Sequence, residues 1–188
     1  MNILRCSDRS EWRRWLSEHF ETDSEVWFFF PSKDSGETGV SYNDAVEEAL
    51  CFGWIDGRAG TLDASHGLRR FTPRRKGSLY SRPNIERLIL LDSQGAIHPK
   101  IRPSVVSVIA EPFVFPEDIT DALRGDAEAW KNYNSFSEPY KRIRVAYIDA
   151  ARKRPDEFAR RLSSFIKSCR ENKMITGYGG IDKYYGRK

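Results

Sequence analysis

The stretch from Tyr42 to Asn84 decides how the N-terminal part of this 188-residue chain folds. It contains YNDAVEEALCFGWIDG at 42–57 and LRRFTPRRKGSLYSRPN at 68–84. Small and apolar side chains recur at helical spacing in the first segment, and either Gly53 or Gly57 can end the helix, because glycine tolerates the left-handed conformation. The second segment begins LRRFTP, as in a strand that ends or lies at a sheet edge where its proline stands. We therefore expect a helix over 42–52, capped by Ser41, and a strand over 68–75.

Two elements are predicted before this stretch. Asp8 begins a helix over 8–20, because aspartate is a favourable cap and apolar residues then recur every three or four positions. Residues 25–30 read EVWFFF and stop at Pro31, which is typical of a buried strand. Residues 32–40 are rich in turn-forming residues and predict a loop.

The middle of the central stretch is expected to be irregular. Asp56 stands in a Gly-flanked turn, and residues 58–67 read as a loop. Glu47 and Glu48 lie near the middle of the preceding helix, where at least one of them is expected on the solvated side.

A further helix is predicted over 83–92, with a proline in its first turn. Its expected inward side chains are Ile85, Leu88 and Ile89. Residues 104–110 are apolar and fit either a helix or a strand.

The C-terminal part is predicted to be helical. The first apolar face there breaks near Gly125, and two more helices start where a proline stands among the first residues. The residues that mark these helices are Ile119, Leu123, Ala127 and Trp130 for the first, Ser137 for the second and Pro155 for the third.

The predicted domains follow from these elements. They are an α+β region at 1–110, a linker at 111–116, a helical region at 117–176 and a Gly-rich tail at 177–188. The fold class is therefore α+β, with a small β-sheet and packed helices in the N-terminal part and a mostly helical C-terminal part.

The central stretch also carries a family resemblance. Residues 48–57 resemble the E-A-L-C-F-G-W-I-D-G of the YdeI/OmpD-associated family, and residues 70–84 its R-F-T-P-R-[RK]-x-x-S-x-[WY]-S-x-x-N. The chain departs from the family's Gly-x-[MI]-x-P-x-G at Ile101, which stands in place of the last glycine. The resemblance covers most of the chain and includes an OmdA-like helical region at 117–176. It implies a cytoplasmic, bacterial protein with a role in stress or bacteriocin tolerance.

Positive charge is unevenly distributed in this chain, whose net charge is +4. Residues 117–188 hold 16 Lys and Arg against 11 Asp and Glu, and residues 69–87 hold seven basic side chains against one acid. A local excess of this kind attracts anions, and phosphate is a common anion in cells. A solvated basic face that binds nothing has the same pattern.

Cysteine and histidine usage predicts no metal site and no cofactor. Cys6, Cys51 and Cys169 are widely spaced, and His66 has no partner at ligand spacing. No segment approaches the roughly 18 apolar residues of a membrane span, and the N-terminus lacks the apolar run of a signal peptide. We therefore expect a cytoplasmic protein without a membrane partner.

The polar side chains of the central stretch predict a binding site for a small anionic or phosphorylated ligand. Guanidinium groups, hydroxyls and a helix N-terminus each suit an oxyanion, and all of them occur close together here in sequence. The predicted ligand-binding residues are Trp54, Asp56, Arg70, Arg74, Ser78, Ser81 and Asn84.

Three other functions stay open from the sequence. A nucleic-acid or protein interaction module would use the basic patch at 69–87, although no nucleic-acid motif occurs. An enzyme would use Asp56 or Glu48 as its acid or base and Cys51 as its nucleophile, although Cys51 lies among apolar helix residues like an inert core thiol. In a purely structural alternative, the arginines pair with Asp56, Glu47 and Glu48 and hold the two halves together.

Overall fold

The computed structural model of the protein describes residues 2–32, 36–63 and 66–177. The chain forms two compact units, Met1–Ala110 and Glu111–Lys188. Each unit has its own cluster of buried apolar side chains. The first unit combines a small sheet with helices and the second is helical, which confirms the predicted α+β class.

The described part of the first unit contains a four-stranded sheet with the strand order β1-β2-β4-β3. β1 runs parallel to β2, whereas β4 is antiparallel to both of its neighbours. The strands predicted over 25–30 and 68–75 are confirmed as β2 and β4. The strand bounds are β1 Ile3–Leu4, β2 Val26–Pro31, β3 Trp54–Asp63 and β4 His66–Pro73.

The predicted loop over 58–67 is wrong, because most of this segment belongs to the antiparallel pair β3 and β4. The pairing begins with Trp54 opposite Pro73. Asp56 consequently lies in a strand opposite Phe71 and not in a turn. Glycine and aspartate disfavour strands locally, but pairing and packing against a neighbouring strand outweigh that preference.

The first two helices of the first unit begin at their predicted caps. The carboxylate of Asp8 accepts a hydrogen bond from the N–H of Glu11 (2.9 Å), and the hydroxyl of Ser41 accepts one from the N–H of Asp44 (3.1 Å). The apolar segment at 104–110 proves to be helical. The helices described in this unit are α1 Arg9–His19, α2 Tyr42–Cys51, α3 Arg82–Ser93 and α4 Arg102–Ala110.

Trp12 of α1 is central to the core of the first unit. It is fully buried, and its ring centroid lies 4.7 Å from that of Phe28 in β2 and 5.5 Å from that of Phe71 in β4. Its indole N–H donates to the carbonyl of Ala45 in α2 (3.0 Å). A buried ring whose polar atom has a partner stabilises a core strongly, so this side chain links two helices to the two central strands.

Gly53 ends α2 and leads the chain into β3. Its φ is +71°, and an added Cβ would lie 3.0 Å from Cδ1 of Ile101. Its carbonyl accepts a hydrogen bond from the N–H of Arg74 (2.9 Å). Glycine adopts this conformation without steric cost, and the predicted glycine stop is confirmed.

Glu47 and Glu48 of α2 are both buried, so the expectation that at least one is solvated is wrong. Nη1 of Arg9 lies 3.0 Å from Glu47, and Nε of Arg9 lies 2.5 Å from Glu48. Nη1 of Arg13 lies 2.7 Å from Glu48, and its Nη2 donates to the carbonyl of Ala96 (2.7 Å). Buried charges are stable only when opposite charges and hydrogen bonds compensate them. Arg9 and Arg13 both belong to α1, so this helix compensates the buried carboxylates of α2.

The buried side of α3 differs from the predicted one. Leu88 is fully buried as predicted, but Ile85 and Ile89 are only half-buried. Glu86 and Arg87 are buried instead. The apolar spacing therefore predicted the helix correctly, but it did not predict that charged side chains are buried in the first half of this helix.

The second unit consists of helices joined by short connections. The predicted break near Gly125 is confirmed, because one helix ends just before it and another begins just after it. Residues 111–116 have no regular secondary structure, and the tail beyond 177 lies outside the described residues. The helices are α5 Glu117–Arg124, α6 Ala127–Ser135, α7 Glu138–Asp149 and α8 Pro155–Arg170.

Aromatic side chains form the core of the second unit. Phe136, Tyr140 and Phe165 are fully buried, with ring centroids 5.1 Å apart for the first two and 6.2 Å apart for the last two. The hydroxyl of Tyr140 accepts a hydrogen bond from the N–H of Ile175 (2.9 Å). None of the helices in the described ranges is both long and apolar enough to cross a membrane.

Candidate functional site

Arg74 closes the loop that follows β4. Its Nη2 donates to the hydroxyl of Ser78 (3.1 Å) and to the carbonyls of Ser78 (3.2 Å) and Leu79 (3.0 Å). Its guanidinium carbon lies 3.7 Å from the ring centroid of Tyr80. The hydroxyl of Ser78 donates in turn to the carbonyl of Arg75 (2.8 Å). Arg74 and Ser78 meet as the sequence predicts, but these polar groups bind the loop itself.

Asp56 and Arg70 each have a partner outside the predicted set. The carboxylate of Asp56 accepts a hydrogen bond from the hydroxyl of Tyr42 (2.7 Å). Burial, and then this hydrogen bond, raise the pKa of Tyr42 to about 12, so the hydroxyl stays protonated and donates. The Nε of Arg70 donates to the carboxylate of Glu25 (2.7 Å), and a second nitrogen of the same guanidinium also contacts that carboxylate.

The other three predicted residues differ in how far they are buried. They are Trp54, Ser81 and Asn84. Trp54 is fully buried and donates its indole N–H to the carbonyl of Phe20 (3.0 Å), so it belongs to the core. Asn84 is also buried, and its side-chain oxygen accepts a hydrogen bond from Arg87 (2.8 Å). Ser81 is exposed and precedes α3 without a side-chain cap hydrogen bond.

The binding role of these seven residues stays a prediction. Within the part of the chain that the structure describes, hydrogen bonds join only Arg74 to Ser78 among the seven. Asp56, Arg70 and Asn84 bond to side chains outside the set. The described contacts therefore favour internal bonding over one shared pocket.

The basic patch at 69–87 is smaller in the structure than in the sequence. Arg70 pairs with a carboxylate and Arg87 is buried. Arg75 and Lys76 are exposed. Nucleic-acid-binding domains neutralise several phosphates with a basic stripe or face, and two neighbouring cations on one loop are a small surface for that purpose.

Cys51 has the environment of a core thiol. It is fully buried, and burial raises the pKa of Cys51 to about 12. A reactive cysteine needs its thiolate at the working pH. Glu48, the acid or base of the enzyme alternative, is held by Arg9 and Arg13. The side chain of His66 lies outside the described residues.

A cleft of ligand size lies in the second unit. Its volume is about 630 Å³, within the range of small-molecule sites. Phe115, Trp130 and Tyr133 provide aromatic lining, and Arg124 and Lys141 provide positive charge. The other lining residues are Val114, Pro116, Glu117, Thr120 and Asn134.

Two stacked rings on α6 form part of the cleft wall. The centroids of Trp130 and Tyr133 lie 5.5 Å apart, and their planes differ by 20°. The guanidinium carbon of Arg124 lies 5.1 Å from the Trp130 centroid, and Nζ of Lys141 lies 5.4 Å from the Tyr133 centroid. Burial raises the pKa of Tyr133 above its ordinary value, so its hydroxyl stays protonated. Each ring therefore has a cation beside it.

The two cations that line the cleft are held in place by carboxylates. Arg124 and Lys141 line it together with one carboxylate, that of Glu117. Both cations also contact a carboxylate nearby: Arg124 lies 2.8 Å from Asp121, and Lys141 lies 2.6 Å from Glu138. An anionic group in the cleft would meet cations whose positions are already fixed, which limits the entropy lost on binding.

This cleft was not predictable from the sequence. Trp130 was expected only as one of the residues that mark a helix, together with Ile119, Leu123 and Ala127. The local signals were the aromatic spacing of Trp130 and Tyr133 and the phenylalanines at 113 and 115 in EPFVFP. No local pattern shows that Lys141 of α7 lies beside Tyr133 of α6.

The protein is α+β, and its helical unit contains a cleft whose volume is within the range of small-molecule sites. Two family models match the chain: Domain of unknown function (DUF8412) at residues 4–103, and OmdA, described as Bacteriocin-protection, YdeI or OmpD-Associated, at residues 112–172. The chain therefore belongs to the DUF8412 family and carries, in its second unit, the domain of the YdeI/OmpD-associated family that the resemblance predicts. No curated protein and no solved structure matches the chain.

Each of the two family matches contains one of the two candidate sites. The central stretch at 42–84, which carries the strongest resemblance, falls within the DUF8412 match. The cleft residues, from Val114 to Lys141, fall within the OmdA match. The cleft therefore lies in the domain that matches the OmdA family model.

Proposed function

We propose that the second unit binds a small organic ligand that combines a flat aromatic or apolar body with an anionic group. The observation that carries this proposal is the cleft of about 630 Å³, in which the stacked rings of Trp130 and Tyr133 lie beside Arg124 and Lys141. Aromatic walls favour a flat body. Arg124 and Lys141, each held in place by a neighbouring carboxylate, supply N–H donors for an anionic group.

The proposed ligand is anionic, as the sequence predicts, but its site lies in the second unit and not at 42–84. An anionic or phosphorylated ligand was predicted at 42–84, where Arg74 bonds its own loop and Arg70 bonds Glu25. The cations of the cleft lie beside apolar walls, which is the usual composition of small-molecule sites. Under this proposal the chain is a cytoplasmic binding protein, and it acts in the bacteriocin protection that describes its family.

A thermal-shift screen tests the cleft. The full chain is combined with aromatic acids, phosphorylated metabolites, nucleotides and short oligonucleotides at low and at high salt. A ligand at about 100 times its Kd adds about 2.7 kcal/mol to the free energy of unfolding, which raises the Tm of a chain of this size by several degrees. We expect a small-ligand shift that changes little with salt, because a steep decrease with salt marks contacts to many phosphates.

Two variants of the cleft and one control locate the bound ligand. Trp130→Ala and Lys141→Met should each reduce the ligand-induced shift relative to the variant's own baseline. Arg74→Ala should keep the full shift, because it alters only the site predicted at 42–84. A shift that persists in Trp130→Ala but disappears in Arg74→Ala would contradict the proposal, and so would a screen in which no compound binds.

A further inference from the structure

Arg144 is a buried cation in the second unit. It lies in α7, one turn after Lys141, and only 5% of its surface is exposed. Its neighbours on the buried side of α7 include the apolar residues Val145 and Ile148. The helix therefore carries a guanidinium group into the interior of the unit.

No side chain of the described residues neutralises Arg144. Its Nε has no hydrogen-bond partner there, and no described carboxylate forms an ion pair with its guanidinium. Its guanidinium carbon lies 5.1 Å from the ring centroid of Tyr147. The carbonyls of Cys169 and Arg170, at the end of α8, already accept hydrogen bonds from the amide of Asn132 (3.0 and 3.3 Å).

The buried charges of Lys141 and Glu48 each have the kind of partner that Arg144 lacks among the described residues. Nζ of Lys141 lies 2.6 Å from Glu138, and two arginines compensate Glu48. Arginine stays charged at physiological pH, and an uncompensated buried charge is strongly unfavourable. The field of Arg144 also reaches Cys169: burial raises the pKa of this thiol to about 12, and Arg144 acts against that rise.

We propose that Arg144 anchors an oxyanion-binding site in the helical unit, with a phosphate or carboxylate group as its ligand. A guanidinium fork forms two parallel hydrogen bonds with such groups. In a site with little water, the attraction between the two charges is stronger than at the surface. This site goes beyond the cleft of the proposed function, because Arg144 is not among the residues that line the cleft.

Thermal unfolding of the full chain tests the site, with phosphate replacing chloride at constant ionic strength. We expect the Tm to rise saturably, by roughly 5 to 10 °C at about 100 times the Kd of phosphate. A second titration uses phenyl phosphate. A phenyl phosphate shift that Arg144→Met abolishes and Trp130→Ala leaves unchanged supports the site at Arg144. A shift that persists in Arg144→Met and falls in Trp130→Ala belongs to the cleft and overturns the site at Arg144.

Arg144→Met removes the charge and keeps an unbranched apolar stem. This variant should lose the phosphate shift, and in chloride it should melt at or above the Tm of the wild type. Arg152→Met is the matched control, because Arg152 is an exposed arginine of the same unit that lies 2.8 Å from Asp118. The control should keep the phosphate shift.

The outcome that overturns the proposal is an equal phosphate shift in the wild type and in Arg144→Met, because phosphate stabilises many proteins by exclusion from their surface. A wild type without any shift overturns it as well. Should Arg144→Met fail to fold, Arg144→Lys keeps the charge without the fork and should show a smaller shift at the same phosphate concentration. An unchanged shift in Arg144→Lys would then count against the site.

Discussion

At the scale of single residues, the buried carboxylates of α2 depend on arginines from another helix. The side chains of Glu47 and Glu48 are 2% and 4% exposed, whereas that of Arg9 is 39% exposed. An arginine left without a partner there would still be hydrated, but a buried carboxylate would not. The loss of Arg9 should therefore lower the free energy of unfolding by more than the number of its contacts indicates.

Arg9→Met should lower the free energy of unfolding by about 3 kcal/mol, because it leaves two buried carboxylates with fewer opposite charges. Urea unfolding at neutral pH measures this change. Arg14→Met, on the exposed side of the same helix, is the matched control and should change stability by less than about 0.5 kcal/mol. Equal effects of the two substitutions would show that Glu47 and Glu48 do not depend on Arg9.

At the scale of secondary-structure elements, Asp126 connects the start of α6 to the end of α8. Its carboxylate accepts a hydrogen bond from the N–H of Ala129 (2.9 Å) and another from Nε of Arg170 (2.6 Å). The first contact caps α6, and the second is an ion pair between residues 44 positions apart in the chain. The bond from Ala129, followed by that from Arg170, lowers the pKa of Asp126.

The lowered pKa of Asp126 predicts a loss of stability in acid. A carboxyl group whose pKa is lower in the folded state stabilises that state fully above its unfolded pKa of about 3.9. The contribution disappears as the pH falls from there through the folded pKa. Asp126→Asn should therefore lose less stability than the wild type between about pH 6 and pH 3, as urea unfolding at several pH values can measure.

The control for this prediction is Ser163→Ala, an exposed and non-titrating position of the same unit. It should follow the pH dependence of the wild type. If Asp126→Asn has the same pH dependence as the wild type, the carboxylate does not couple α6 to α8 in the way its contacts indicate.

At the scale of the whole molecule, each of the two units has its own core. Leu88 of α3 is fully buried within the first cluster of apolar side chains, and Leu123 of α5 within the second. Units with separate cores can open separately, so the free energy of unfolding need not be uniform along the chain.

Leu88→Ala should destabilise the first unit by about 3 kcal/mol, because it removes buried apolar contacts and leaves a cavity. Hydrogen exchange at rising urea concentration should show reduced protection in α2 and α3 and unchanged protection in α7. Leu123→Ala is the matched control and should give the reverse pattern. A uniform loss of protection in both variants would mean that the two units unfold as one.

Much of the fold was predictable because its signals are local. The caps Asp8 and Ser41, the glycine stop at Gly53 and the helix break near Gly125 each depend on residues within a few positions. Strand β2 was predictable from its run of aromatic residues. Strand β3 was not, because its residues disfavour a strand until they pair with β4.

The site depends on contacts that no local pattern contains. Arg9 and Glu48 are 39 positions apart, yet their contact is what allows the carboxylate to be buried. The cleft is the space left between Trp130 and Tyr133 of α6, Lys141 of α7 and the segment at 114–116. Sequence periodicity determines which side of a helix is apolar, because that depends on neighbouring positions. Which charge is compensated, and where space for a ligand remains, depends on how distant elements pack, and so only the folded chain defines them.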